Sequence, residues 1–152
     1  MVNSVLVVCT GNICRSPMGE ALIRAHGHAG LHVESAGVGA LPGKPADPTA
    51  EELMAERGLD LSGHFSRQID PELARTFDLL LVMEKGQMDW LHDQFPVVRG
   101  RVHRWGRWRD QDIPDPYRRG PEAFEQALAL MDAGLTDWLE KGILGPAPAK
   151  KA

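Results

Sequence analysis

A thiol and a guanidinium stand six residues apart near the start of the chain, in the stretch VLVVCTGNICRSPM over residues 5–18. Cys9 ends an unbroken apolar run from Val5 to Val8. Arg15 and Ser16 come just before Pro17, where a helix can begin, and Thr10, Gly11, Asn12, Ile13 and Cys14 lie between. A buried strand that runs through a tight loop into a helix N-terminus makes an anion cradle, because unpaired N–H groups and the positive end of the helix dipole face the loop. The reactive form of cysteine is the thiolate, and loop amides, the helix end and Arg15 all stabilise that anion. Ser16 is placed to give it a further hydrogen bond. Gly11 can adopt a positive φ at no steric cost and turn successive N–H groups inward. Arg15 offers two phosphate oxygens a planar fork, and Asn12 is expected to brace the loop. The alternative for Cys9 alone is a buried structural cysteine. Together with Gly11, Arg15 and Ser16 at a strand–helix junction, it reads as a nucleophile aimed at a phosphoryl group.

Displacing an alkoxide or phenoxide from phosphorus needs a proton donor. The sequence Ile113-Pro114-Asp115-Pro116-Tyr117 offers one, since two prolines fix the backbone around the Asp115 carboxyl. Tyr117 can wall the pocket and stack on an aromatic leaving group. Asp110 and Asp112 lack that rigid frame.

These residues need a scaffold, and the hydrophobic pattern supplies one. After the first strand a helix is expected from Ser16 or Pro17 to about His28, followed by a short strand in LHVESAG. Thr49 is expected to cap a helix through Arg57, with Glu52 closing a capping box. Asp78–Met83 reads as a strand covered on both faces, followed by a helix from about Lys85 to Phe95 with Met88, Leu91 and Phe95 facing inward. Arg101–Trp105 reads as the last strand. Phe124, Leu128, Met131, Leu135 and Trp138 step by four and three residues along a final helix over about 121–140. Alternating strands and helices imply a single α/β domain with a four-stranded parallel sheet and helices on both faces, Rossmann-like, over residues 1–145. Residues 146–152 read as a flexible tail. Ligands of open α/β sheets bind beyond the C-terminal strand ends, where the Cys9 loop falls.

A length of 152 residues fits one core, and 43% hydrophobic with 25% charged residues excludes a disordered or membrane-spanning chain. The net charge of −4 disfavours a nucleic-acid binder. The basic, aromatic stretch VVRGRVHRWGRWRD is therefore expected to be an edge strand and a loop bordering the pocket. With no signal peptide or apolar span visible, and two cysteines confined to one loop, a reducing cytoplasm is the expected setting.

The motifs VCTGNICRSP, ESAG (34–37), GHFSRQI (63–69), FDLLLVM (77–83) and IPDPY, in this order, resemble the low-molecular-weight protein tyrosine phosphatases, most closely the bacterial branch encoded with exopolysaccharide systems. The resemblance covers about residues 2–140. It implies the phosphotyrosine phosphatase I type of fold and hydrolysis of phosphotyrosine through a phosphocysteine at Cys9. Arg15 and the loop would hold the phosphate, and Asp115 would act as acid and then as base, with no metal or cofactor. It further implies that Asn12, Ser35 and His64 support the loop, that Leu41 and Tyr117 wall the pocket, and that Cys14 can pair reversibly with Cys9. The implied partner is an autophosphorylating bacterial tyrosine kinase, with phosphate or vanadate as product or inhibitor.

Two rivals remain. An arsenate reductase on this fold needs further cysteines to relay a disulfide, and none follows Cys14. A phosphopeptide-binding module needs neither a thiol nor Asp115.

Overall fold

In a computed structural model the chain is described over residues 1–148. Of the expected tail, residues 149–152 lie outside the described residues. The apolar run ending at Cys9 forms β1 (Ser4–Cys9), with every residue from Val5 onward buried. β2 (His32–Gly37), β3 (Leu79–Val82) and β4 (Val102–Arg104) complete a parallel sheet in the order β2-β1-β3-β4. The chain leaves β1 for one neighbour and later returns to the other side. The crevice at the end of β1 is thus the point where strand order reverses, the usual ligand position in such sheets.

Alternation along β1 sends Val5 and Val7 to one face, where they join Met18 and Leu22 of α1 (Arg15–His26), Met54 of α2 (Pro48–Glu56) and Leu128, Met131, Leu135 and Trp138 of α5 (Pro121–Glu140). Leu6 and Val8 point the other way, against Ala74 of α3 (Pro71–Arg75) and Leu91 of α4 (Lys85–Gln94). The helices therefore cover both faces, as the unbroken apolar strands require. Among the described residues no helix is long and apolar enough to cross a membrane.

Several boundaries differ from the sequence reading. α1 begins at Arg15, with Cys14 as its cap, and stops at His26 rather than His28, with Gly27 capping its end. Pro17 falls in the first turn, where its missing N–H has no intrahelical partner to lose. α2 is capped by Asp47, whose Oδ1 accepts the Thr49 N–H at 2.9 Å, and not by Thr49 with Glu52. Pro48 at the first helical position, with φ already fixed, moves the start forward. β4 is trimmed by one residue at each end, although the Trp105 N–H still bonds the Val82 carbonyl at 2.7 Å.

The basic, aromatic stretch departs more strongly. β4 is an edge strand, but residues 99–109 do not line the cavity beside Cys9. Trp105 is fully buried and donates its indole N–H to the Met131 carbonyl at 2.8 Å, while Trp138 donates to the Trp105 carbonyl at 2.8 Å. Trp108 packs edge-on to Trp138 at 4.3 Å. Gly134 makes room for this stack: a Cβ there would lie 2.6 Å from Trp105 Cδ1. These aromatics belong to the core, and Arg104 and Arg109 are held by Asp110, Asp112 and Asp137.

Candidate active site

The segment that follows β1 closes around Cys9 Sγ. Ser16 Oγ lies 2.9 Å from the sulfur, and the Asn12 N–H donates to it at 3.3 Å. Among the described residues the N–H groups of Gly11, Ile13, Cys14, Arg15 and Ser16 meet no protein acceptor. Such a row of unpaired donors at the start of α1 is the geometry an anion cradle requires.

The turn that aims them differs in one respect. Asn12, not Gly11, takes the left-handed conformation, at φ 58°. Asparagine tolerates that region better than other side chains, and here the surroundings fix it. Its Nδ2 donates to Ser16 Oγ at 2.7 Å and to Ser35 Oγ at 3.0 Å, and its Oδ1 accepts the Arg67 N–H at 2.9 Å. His64 Nε2–H donates to the Asn12 carbonyl at 2.6 Å. Asn12, Ser16 and Ser35 are buried, so each satisfied group would be costly to orphan. Gly37 is also required here, because a Cβ would lie 2.4 Å from the Thr10 carbonyl oxygen.

Arg15 is 1% exposed. Its Nη1 donates to the Ile113 carbonyl at 2.7 Å and lies 2.9 Å from Glu84 Oε2, and its Nη2 is 3.8 Å from Asp115 Oδ2. Ile113 is itself anchored, its N–H bonding the Met83 carbonyl at 2.8 Å just past β3. One buried residue thus ties the Asp115 segment both to the sheet and to the arginine. The Tyr117 N–H donates to Asp115 Oδ1 at 3.1 Å, which fixes the carboxyl from the other side. Asp110 and Asp112 are occupied by Arg104, and Asp112 also accepts the Lys85 N–H at 3.1 Å.

The cavity holds about 220 Å³ and is lined by Cys9, Gly11, Ile13 and Arg15 at its base, with Leu41, Asp115 and Tyr117 around it. Leu41 is 61% exposed and Tyr117 39% exposed, so both stand at the mouth. Cys14, also buried, has its thiol pushed well above the ordinary range, first by burial and then by Asp47, Cys9 and Asp115, with Arg15 opposing. It stays protonated at neutral pH. Both cysteines are free thiols.

Three neighbours were not legible in the sequence. Glu84 holds Arg15. Gln87 Oε1 accepts the N–H groups of Met83 at 2.9 Å and Glu84 at 3.0 Å, while its Nε2 donates to Thr10 Oγ1 at 3.1 Å. A glutamine at the third position of a helix is half of a capping-box pattern, and that was the available signal. Lys44 also lines the cavity. Its Gly- and Pro-rich surroundings carry no periodic signal.

The family model for low molecular weight phosphotyrosine protein phosphatase matches residues 4–144. The chain is 47% identical over 141 residues to the low molecular weight protein-tyrosine-phosphatase Wzb of Escherichia coli (strain K12), covering 92% of this chain and 95% of that protein. It is 45% identical over 141 residues to the probable low molecular weight protein-tyrosine-phosphatase EpsP of Ralstonia nicotianae, covering 93% and 97%. Its fold is similar to that of Vibrio vulnificus Wzb in complex with benzylphosphonate, with a TM-score of 0.88 at 43% identity over 93% of this chain and 99% of that one.

Proposed function

The chain belongs to the low molecular weight phosphotyrosine protein phosphatase family, and from that premise we propose that Cys9, Arg15 and Asp115 hydrolyse phosphotyrosine through a phosphocysteine intermediate. Cys9 Sγ attacks phosphorus in line as the bond to the aryl oxygen breaks, and Asp115 protonates the leaving phenoxide. Arg15 and the N–H groups of residues 11–16 hold the equatorial oxygens, stabilising charge as it spreads over them. A water then attacks the phosphocysteine, Asp115 takes its proton, and phosphate leaves with Cys9 again a thiolate. Fixed positive charge and positioning do the work without a metal.

The observation that carries this reading is the Cys9 sulfur held by Ser16 Oγ at 2.9 Å beneath a row of free amides, with Asp115 3.8 Å from Arg15. Asn12, Ser35 and His64 keep the loop in shape, and Leu41 and Tyr117 flank the substrate ring. The protein substrate is an autophosphorylating bacterial tyrosine kinase of exopolysaccharide production, and the setting is the cytoplasm. Similarity to Wzb and EpsP supports this assignment. The test is a pair of variants. Cys9→Ser should bind vanadate without turning over, and Asp115→Asn should slow release of tyrosine far more than release of a phenol of low pKa. Turnover by Cys9→Ser, or equal slowing of both leaving groups by Asp115→Asn, would refute the assignment.

A further inference from the structure

Of the residues lining the catalytic cavity, two carry a full positive charge, Arg15 and Lys44. Arg15 is buried at the base and engaged with Ile113, Glu84 and Asp115. Lys44 differs in each respect. Its side chain is exposed, and it has no ion-pair partner among the described residues. Nine basic side chains stand within reach of a carboxylate, Arg15, Arg24, His32, Arg57, Arg67, Arg75, Lys85, Arg104 and Arg109, and among the described residues that line the cavity Lys44 is the basic one without such a partner.

The backbone beneath Lys44 is held in place. The Lys44 N–H donates to Ser66 Oγ at 3.0 Å, the Ser66 N–H donates to the Lys44 carbonyl at 2.8 Å, and the Gly43 N–H donates to the Ser66 carbonyl at 2.8 Å. The Ser66 hydroxyl in turn donates to the Leu41 carbonyl. Gly43, at φ 84°, supplies the left-handed turn this arrangement needs. Ser66 is 3% exposed and precedes Arg67, whose N–H holds Asn12. The rim loop carrying Leu41 and Lys44 is thereby joined to the segment that braces the phosphate loop.

We propose that Lys44 is a specificity-determining residue, which reads a carboxylate side chain next to the phosphotyrosine of the substrate. This rests on the phosphotyrosine reading above and names the sequence around the target tyrosine. In the phosphotyrosine reading the phosphoryl group falls to the free amides and Arg15 at the base. A cavity of about 220 Å³ takes little more than one side-chain end, being smaller than the roughly 300–1,000 Å³ of sites that enclose whole ligands. The residues flanking a bound phosphotyrosine must therefore lie on the rim, where Lys44 is the unpaired cation among the described residues that line the cavity. An exposed pair of this kind is worth about a two- to fivefold preference, and salt weakens it.

The test compares two phosphotyrosine peptides, identical except for Glu or Gln on both sides of the phosphotyrosine, together with p-nitrophenyl phosphate. The readout is the ratio of kcat/KM for the two peptides. Wild type should favour the Glu peptide by about two- to fivefold at low salt. Lys44→Met should bring the ratio to about one, Lys44→Arg should keep it, and Lys44→Glu should invert it. A wild-type ratio near one overturns the proposal. So does a Lys44→Met variant that keeps the wild-type ratio while losing the same factor on all three substrates, since Lys44 would then serve the phosphoryl group itself. Hydrolysis of p-nitrophenyl phosphate but of neither peptide overturns the phosphotyrosine reading, an outcome distinct from the other two.

Discussion

Asn12 is where fold and site depend on each other most directly, and its replacement has a calculable cost. Substitution by Ala removes three side-chain hydrogen bonds, to Ser16 Oγ, to Ser35 Oγ and from the Arg67 N–H, at a residue that is fully buried. At about 1 kcal/mol each, these amount to about 3 kcal/mol. The backbone at φ 58° adds about 1 kcal/mol for a residue with a Cβ and no side-chain bonds to hold it. Asn12→Ala should therefore lose about 4 kcal/mol, and Asn12→Gly about 3 kcal/mol, because glycine removes the bonds but relieves the strain. Urea unfolding, compared at constant slope, reads both values. Both variants should also lower kcat/KM on p-nitrophenyl phosphate, since Ser16 Oγ loses the donor that orients it beside Cys9. A loss below about 1 kcal/mol in Asn12→Ala, or an Asn12→Gly variant less stable than Asn12→Ala, would show that these bonds and the left-handed turn do not carry that cost.

Gly134→Ala would place a Cβ 2.6 Å from Trp105 Cδ1 and should destabilise by about 1–3 kcal/mol in the same unfolding assay. The His103 side chain is held below its ordinary value of 6.5, first by burial, then by the Arg107 charge and more weakly by His92, against a hydrogen bond with the Gly100 backbone. Its folded state prefers the neutral ring. The associated stability is full above pH 6.5 and fades as pH falls through the lower folded value, so His103→Leu should flatten the decline in urea midpoint between pH 7.5 and pH 5.5. The exposed, bidentate Arg57–Asp132 pair, at 2.7 Å for both bonds, joins α2 to α5, and Arg57→Ala should cost less than about 1 kcal/mol.

Much of this architecture was legible in the sequence because it is locally determined. Unbroken apolar runs gave β1 and β3, a four-and-three step gave α5, and Cys9 followed by Arg15 and Ser16 gave the tight loop between β1 and α1. The errors arise where one local rule outranks another or where a distant segment decides. Asn12 takes the left-handed turn in place of Gly11 because Ser35 and Arg67, far along the chain, satisfy its amide. Asp47 outranks Thr49 as a cap because Pro48 fixes the first helical position. The RWGRW stretch looked like a pocket border from its charge and aromatic content, yet Gly134 on α5 leaves space for Trp105 and draws it into the core. Glu84, Gln87 and Lys44 reach the site only through the parallel pairing of β1 with β3 and the pairing of the 41–44 loop with Ser66. No sequence period encodes either.

In the proposed mechanism Cys9 carries the phosphoryl group between two displacements. Rapid-mixing hydrolysis of an aryl phosphate should give a burst of phenol equal to the active sites, and acid quenching should trap one phosphate on a peptide containing residues 9–15. Mapping of that peptide should place the phosphate on Cys9. Steady phenol release with no burst, or a trapped phosphate on Cys14, would rule out a phosphocysteine at Cys9.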